Sequence, residues 1–435
     1  MLTAAEAAAH LGVKLGTLYA YVSRGWLKSY RRKVGRQALY RRADIEALRG
    51  LTAPERGVRA RSLPDASSWV TIAQPTGDAA TAGVIVAESG VSSISEGRLA
   101  YRGYPIEDLV ERAAFEEVCL LLWNGVRPRP EEVAHLRENI DLARLPQPVA
   151  DALAAIGDDA PPLLRLAVMM PALAAAEQRL LQRARLDQAR LIIGALPLAL
   201  PRASAGHGGV EADAHAAGGN SGMAARLLAR VRGAAASADC AALDRVLVAC
   251  AEHELNASTF AARVVASTGA DLYASVLAAL CSLSGPIHGG ACDRIESLFS
   301  DLAGGLGLER CLDSFSARGL LPPGFGHAIY PAGDPRAVLL KRVARATARR
   351  QGRALYQTAL KVERAVWTRA RLRPNLDYYL TVCVRMLGFP RGMPAAIFAV
   401  GRAAGWIAHS LEQYADNRLI RPRMRYRGSL LRHWS

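Results

Sequence analysis

Four short stretches in the C-terminal half carry residues able to do chemistry. "AEHELNASTFAARVVASTGAD" holds His253 in a helix-like run, and "SGPIHGGACDRIESLF" holds His288 between Gly-Pro and Gly-Gly, just before another such run. "GFGHAIYPAGDPRA" holds His327 and Arg336, and "RPNLDYYLTVCVRMLGFP" holds Asp377. Arg402 in "FAVGRAAGWIAHSLEQ" and Arg421 in "RLIRPRMRYRG" follow. Three histidines, one carboxylate and three arginines suit a small polyanionic substrate. Arginine binds carboxylates bidentately and stays charged. An aspartate abstracts a proton if partial burial raises its pKa. A neutral histidine donates a hydrogen bond to a carbonyl and stabilises an enolate or alkoxide. At a helix start the dipole lowers the pKa of His288 and keeps it a neutral donor, while its glycine neighbours let a substrate approach. Taken singly, each piece is commonplace: a lone histidine in a Gly-rich turn is more often structural, and "DPR" or "PNLD" arises by chance.

The elements that must position these residues read as helices. The chain has 435 residues, enough for two or three domains with substantial cores. Ala, Leu and Arg, which propagate helix well, dominate a composition only 6% aromatic, and period-two alternation is confined to short patches. The Met1 start "LTAAEAAAHLG" has no basic region followed by an apolar run, and "LIIGALPLALP" (191–201) is too short to span a bilayer and is broken by proline. The seven cysteines are scattered with no C-x-x-C, which predicts reduced thiols, a cytoplasmic protein and no zinc site. No spacing suits a metal. His207 and His215, in "ASAGHGGVEADAHAAGGNSG", read as loop histidines.

The net charge is +16, and residues 1–62 hold 13 Lys/Arg against 4 Asp/Glu. That asymmetry points to a polyanionic partner for this segment, although arginine-rich composition explains much of the remainder. Thr3 and Glu6 in "TAAE" fit a capping box. A short helix, a turn at Leu11–Val13 and a second helix closed by Gly25 follow. Next come a strand–turn–strand with Gly35 at its tip and a third helix starting near Ala43. Leu11, Val13, Leu18, Tyr21 and Trp26 form its own core. The pattern over residues 1–50 resembles a winged helix-turn-helix of the MerR or excisionase type. That resemblance places Lys14, Thr17, Tyr19 and Arg24 on or beside a recognition helix, and Arg31, Arg32, Lys33 and Arg36 in a wing contacting phosphates. The alternative is a basic docking, oligomerisation or stability module that touches no DNA. Residues 51–80, with "APERGVRARSLPDASS", read as a linker.

Together and in this order, the four clusters are specific. They resemble the citrate synthase family from about Ile85 to Gly428, including "ISEGRLAYRGYPIEDLVERAAFEEVCLLLWNG" (94–125) as that family's N-terminal signature. The resemblance implies an all-α citrate synthase fold, with a large domain (81–288 and 389–435) and a small domain (289–388) closing over the site, in a homodimer or a multiple of one. It implies an acyltransferase without a permanent cofactor, condensing acetyl-CoA with oxaloacetate in a Claisen-type reaction followed by thioester hydrolysis, as in the tricarboxylic acid cycle. Asp377 would take the α-proton, His288 would stabilise the enol(ate), and His327 would polarise the ketone. His253, Arg336 and Arg402 would hold oxaloacetate, Arg421 would reach in from the partner subunit, and Gly324 and Gly326 would let CoA pack against backbone. Two positions depart from the family. Pro331 stands where members often carry Lys or Arg, which removes a CoA phosphate contact for which Lys341 or Arg342 could substitute. Cys250 stands where the first histidine of a common H-x-x-H would be.

Two further readings stay open. One is 2-methylcitrate synthase, which takes propionyl-CoA; one methylene is worth only about 1–3 kcal/mol of pocket shape. The other is a DNA-binding regulator with a citrate-synthase-like sensor domain, against which the retained Asp377 argues, since a sensor needs no base.

Overall fold

The computed structural model describes residues 1–11, 13, 15, 18, 22, 29–31, 38–42, 44, 45, 88–142, 144–177, 184–202, 222–233 and 236–422. The chain divides into two compact units, Met1–Ala66 and Ser67–Ser435.

In the first unit, β1 (Leu2–Thr3), β2 (Tyr30–Arg31) and β3 (Ala38–Tyr40) form an antiparallel sheet in the order β1-β3-β2, with Leu2 opposite Tyr40 and Tyr30 opposite Leu39. Helix α1 (Ala4–Leu11) starts from the expected capping box: the Thr3 amide donates to Glu6 Oε2 at 2.8 Å and the Glu6 amide to Thr3 Oγ1 at 3.3 Å. Strands β2 and β3 are the expected wing hairpin, and β1 is an addition, too short to show any period. Ala7, Ala8, Leu11, Leu18, Tyr40 and Ile45 make the core, with Val13 packed on it. Of the candidate DNA contacts, Arg31 lies on β2. Lys14, Thr17, Tyr19, Arg24, Arg32, Lys33 and Arg36 lie outside the described residues, as do Tyr21, Trp26, the linker 51–80, His207 and His215.

The second unit opens with a feature that an all-α expectation omits, the meander of β4 (Ser92–Ser95), β5 (Arg98–Tyr101) and β6 (Tyr104–Pro105). Its two-residue turns, Glu96-Gly97 (φ 51 and 75) and Arg102-Gly103 (φ 48 and 85), take the positive φ values that tight hairpins require. Helices then follow: α2 (Ile106–Arg112), α3 (Phe115–Asn124), α4 (Pro130–Leu142), α5 (Gln147–Ile156), α6 (Pro162–Glu177), α7 (Arg185–Ala199), α8 (Gly222–Arg232) and α9 (Ser237–Cys250). After them come α10 (Ala257–Ser267), α11 (Leu272–Leu283), α12 (Gly290–Ala303), α13 (Leu308–Ser316), α14 (Pro335–Thr347), α15 (Arg353–Ala370), α16 (Leu376–Met386) and α17 (Met393–Asp416).

Helix α17 is the axis of this unit. It is buried on almost every side and packs against α3, α6, α7, α9, α10, α11, α12 and α16, as a helix apolar all round must. Its small residues allow close crossing. A Cβ at Gly405 would sit 2.2 Å from Glu252 Oε2 and 2.4 Å from the Ala251 carbonyl, and the Gly405 amide donates to that carbonyl at 3.0 Å. The chain leaving α9 is thereby pressed onto α17 beside Arg402. Helices α12 to α16 pack among themselves, and one hydrophobic cluster runs from Val91 through them to Ala408.

Candidate active site

A cavity of about 240 Å³ in the second unit is lined by His253, His288, His327, Arg336, Asp377 and Arg402, together with Asn256, Cys292, Asp334, Asn375 and Phe398 among others. Four sequence clusters and Arg402, spread from position 253 to position 402, thus converge. Of the substrate-binding candidates only Arg421 is absent from this lining; it is exposed, beyond the end of α17.

His253 sits in the loop after α9, braced from below by the meander. Tyr101 Oη accepts from the Glu252 amide at 3.2 Å, Ser92 Oγ donates to Glu252 Oε1 at 2.9 Å, and the Ile94 amide donates to Glu254 Oε1 at 2.8 Å. His409 on α17 also reaches Glu252 Oε1, at 3.0 Å. His253 is buried, its Nε2 is 3.0 Å from Tyr330 Oη, and its ring meets His327 edge-on at 5.2 Å. Burial, then the positive charges of Arg336 and Arg402, push its pKa well down, so the ring is neutral.

His288 lies in the turn between α11 and α12. The turn closes through the Gly289 amide, which donates to the Leu283 carbonyl at 3.0 Å, and a Cβ on Gly289 would come within 2.1 Å of that oxygen. This glycine therefore serves the turn, where the sequence suggested room for a ligand. Burial first and Arg402 second lower the His288 pKa, the direction expected from the sequence. His288 Nε2 lies 2.9 Å from Ser258 Oγ, which also accepts from Trp406 Nε1 at 3.2 Å and stands 2.9 Å from Asn256 Oδ1. Ser258 has one proton for two acceptors. Asn256 Oδ1 already takes the Thr259 amide at 2.9 Å as N-cap of α10. With that proton given to Asn256 Oδ1, Ser258 Oγ accepts from His288 Nε2–H; given to His288 Nε2, it leaves the imidazole proton on Nδ1.

His327 and Asp377 are joined by backbone. The Gly326 amide donates to the Arg373 carbonyl and the Asn375 amide to the Gly324 carbonyl, both at 2.9 Å, around an antiparallel bridge between Phe325 and Pro374. Asn375 Nδ2 adds a bond to the Gly326 carbonyl at 3.1 Å. His327 Nδ1 accepts from the Ile329 amide at 3.1 Å, so the neutral ring carries its proton on Nε2. Its pKa is lowered by burial and then Arg336. Asp377, in the first turn of α16, is pushed up to about 6, mainly by burial, against the pull of Arg336 and Arg402. Gly324 and Gly326 do not line the cavity, and a Cβ at Gly324 would meet Ile295 and Tyr378.

The two arginines are held differently. Arg336 is buried at the start of α14 and forms a fork with Asp334, Nε to Oδ1 at 3.0 Å and Nη2 to Oδ2 at 2.8 Å. Asp334 also caps α14 through the Arg336 amide and receives the Leu376 amide at 3.0 Å, which ties α14 to α16. Arg402 is 1% exposed; its Nε donates to the Cys250 carbonyl at 2.7 Å, and its Nη1 has no hydrogen-bond partner. A buried unpaired N–H costs about 1–3 kcal/mol, so this donor is set for a ligand. Cys250, at the departure from H-x-x-H, contributes its backbone.

Sequence reasoning missed Asp334, Tyr330, Ser258 and Phe398. Asp334 was signalled by Asp-Pro at a helix start, where Asp caps and Pro suits the first helical position. Ser258 gave no signal, because it meets His288 from thirty residues away.

Residues 80–423 match the family described as citrate synthase, C-terminal domain. The chain belongs to the citrate synthase family. It is an enzyme of that family, a transferase. Residues 1–49 match a helix-turn-helix domain. A citrate synthase of Haloferax volcanii is 36% identical over 80% of this chain and 94% of its own length. A 2-methylcitrate synthase of Shewanella oneidensis is 34% identical over 82% and 93%. Among solved structures, Thermotoga maritima citrate synthase superposes with a TM-score of 0.69 at 28% identity, covering 83% of this chain and 98% of that one. Thermoplasma acidophilum citrate synthase, in a ternary complex with carboxymethyl coenzyme A and oxaloacetate, also gives 0.69, at 26% identity over 80% and 96%.

Proposed function

We propose that this citrate synthase family member condenses acetyl-CoA with oxaloacetate to give citrate and free CoA. The observation that carries the reading is one cavity that gathers a carboxylate poised near neutrality, neutral imidazoles and a buried arginine with an unsatisfied donor. Asp377, ionised above about pH 6, takes a proton from the acetyl methyl group. His288 donates to the thioester oxygen as charge builds on it. His327 Nε2–H polarises the oxaloacetate ketone, and the enol carbon attacks it. Arg402 Nη1, the remaining donors of Arg336, and His253 hold the carboxylates. Water then cleaves the citryl thioester, giving the carboxylate and the CoA thiol.

The rest of the assignment is part of the same proposal. A homodimer would bring Arg421 to the partner's cavity, and residues 289–388 would move as a small domain against 81–288 and 389–435. No described helix is long and apolar enough to cross a membrane, and the seven unpaired cysteines support a cytoplasmic setting. The basic helix-turn-helix segment would bind duplex DNA through phosphate contacts.

The test is CoA thiol release by the full chain with oxaloacetate, comparing acetyl-CoA and propionyl-CoA beside Asp377→Ala. Release with acetyl-CoA that the variant loses is the expected result. Faster release with propionyl-CoA assigns 2-methylcitrate synthase, the second reading, favoured by the similar identity to relatives of that name. No release from either by the folded protein overturns the catalytic reading and favours the sensor.

A further inference from the structure

Beyond residue 62 the chain holds 42 Lys/Arg against 35 Asp/Glu, and residues 337–362 hold seven against none, so this one segment accounts for the whole of that excess. It comprises most of α14, the turn after it and the first turns of α15. Three of its cations are matched: Lys341 with Glu363 at 2.8 Å, Arg342 with Glu111 at 3.1 Å and Arg350 with Asp239 at 2.9 Å. Arg345, Arg349 and Arg353 are exposed and have no carboxylate partner among the described residues.

The turn that carries them is fixed on its inner side. Arg350 Nη2 donates to Asp239 Oδ1 and Arg232 Nη1 to Oδ2, both at 2.9 Å, and Gln351 Nε2 lies 3.3 Å from each oxygen. Gly352, left-handed at φ 70, lies so close to α16 that a Cβ would come within 2.7 Å of Met386 Cγ. Arg350 thus serves the fold, while Arg349 and Arg353 on either side of it are left to solvent. Helix stability does not account for the exposed three. The dipole favours a cation in the last turn of α14, which suits Arg345, but it disfavours Arg353 at the first residue of α15, whose first turn holds no acidic residue. Arg345 and Arg349 stand four apart on a coil that continues past α14, since the Arg349 amide donates to the Ala346 carbonyl at 3.3 Å, and like charges at that spacing repel.

An anion supplied from outside relieves such a row. Guanidinium groups on a fixed backbone bind phosphate oxygens through paired hydrogen bonds. Arg349 is about 20 Å along the axis of α14 from Arg336, so the row lies apart from the cavity described above. The same chain matches a helix-turn-helix domain over residues 1–49, within its other basic segment, which selects duplex DNA over a lipid surface. A duplex held by either segment meets the other at raised effective concentration.

We propose that Arg345, Arg349 and Arg353 form a second, sequence-independent contact for the phosphate backbone of duplex DNA. This extends the DNA reading of residues 1–50 to a separate surface and does not depend on the catalytic reading. The test is fluorescence anisotropy of a labelled duplex with the full chain over a range of salt. Arg345→Ala, Arg349→Ala and Arg353→Ala together are expected to reduce the slope of log K against log salt by about 2–3 and to weaken binding equally for unrelated duplex sequences. Arg345→Lys, Arg349→Lys and Arg353→Lys together keep most of the slope, and Arg310→Ala, an exposed charge on α13, leaves it alone. A triple alanine variant that melts like wild type and binds with the wild-type slope overturns the proposal. Binding lost in Arg31→Ala with Arg32→Ala but retained in the triple alanine variant keeps the helix-turn-helix reading and removes this one; the reverse keeps this one and removes that. A wild type that binds no duplex even at low salt removes both. Vesicles of phosphatidylglycerol and phosphatidylcholine are the lipid control: capture that needs the three arginines, with duplex binding that does not, assigns the surface to a membrane and overturns the proposal.

Discussion

At the scale of single residues, the site separates groups by protonation state. Asp377 is raised to about 6 by burial while three imidazoles beside it are lowered, so base and donors coexist at neutral pH. Lowering the pH through 6 protonates the base; kcat/KM for acetyl-CoA at saturating oxaloacetate is therefore expected to fall about tenfold per unit below that point. Asp377→Ala is expected to cost about 10²–10⁴-fold in turnover while oxaloacetate still binds in a calorimetric titration. The raised pKa also bears on stability. A buried aspartate that prefers its proton when folded costs the fold stability progressively as pH rises from the unfolded value near 4 to the folded pKa near 6, and in full above it. Asp377→Asn is accordingly expected to be more stable than wild type at pH 8, by roughly 1–3 kcal/mol in denaturant unfolding, with the two converging at pH 3.5.

At the scale of elements, the groups proposed to act in catalysis are placed by close crossings and one backbone bridge. Gly405 lets α17 lie against the 251–252 peptide, which sets Arg402 beside His253. Gly405→Ala is expected to lower stability by about 1–3 kcal/mol, read from the denaturant midpoint, and to weaken oxaloacetate binding through displaced Arg402. Arg371→Gly removes a left-handed arginine and is expected to gain up to about 1 kcal/mol, read from the denaturant midpoint. These contacts mark where the sequence was legible and where it was not. His253, His288, His327, Arg336, Asp377 and Arg402 could be singled out because each stands in a local pattern of glycines, prolines or helix starts. The link from His288 to Ser258, the Phe325–Pro374 bridge and the orphaned Nη1 of Arg402 are long-range facts of packing that no spacing encodes. The meander was missed although its Glu-Gly and Arg-Gly turns were in view, because strands of two to four residues show little periodicity.

At the scale of the whole molecule, charge and catalysis lie in different parts of the chain. More than half of the excess positive charge falls in residues 1–62, while the cavity and its ligand-facing groups all lie beyond residue 250. If the basic segment contacts phosphates, binding of the full chain to duplex DNA is expected to weaken steeply and log-linearly with salt, by fluorescence anisotropy; negligible binding even at low salt would assign it a docking role instead. The two units also have separate hydrophobic clusters, one around Leu18 and Tyr40 and one around α17. A unit of 66 residues buries proportionally far less of its surface than one more than five times longer. Heating should therefore produce two calorimetric transitions, and a single melting temperature would describe neither. Oxaloacetate would shift only the larger, later one, so the smaller transition becomes a thermometer built into every ligand experiment on this chain.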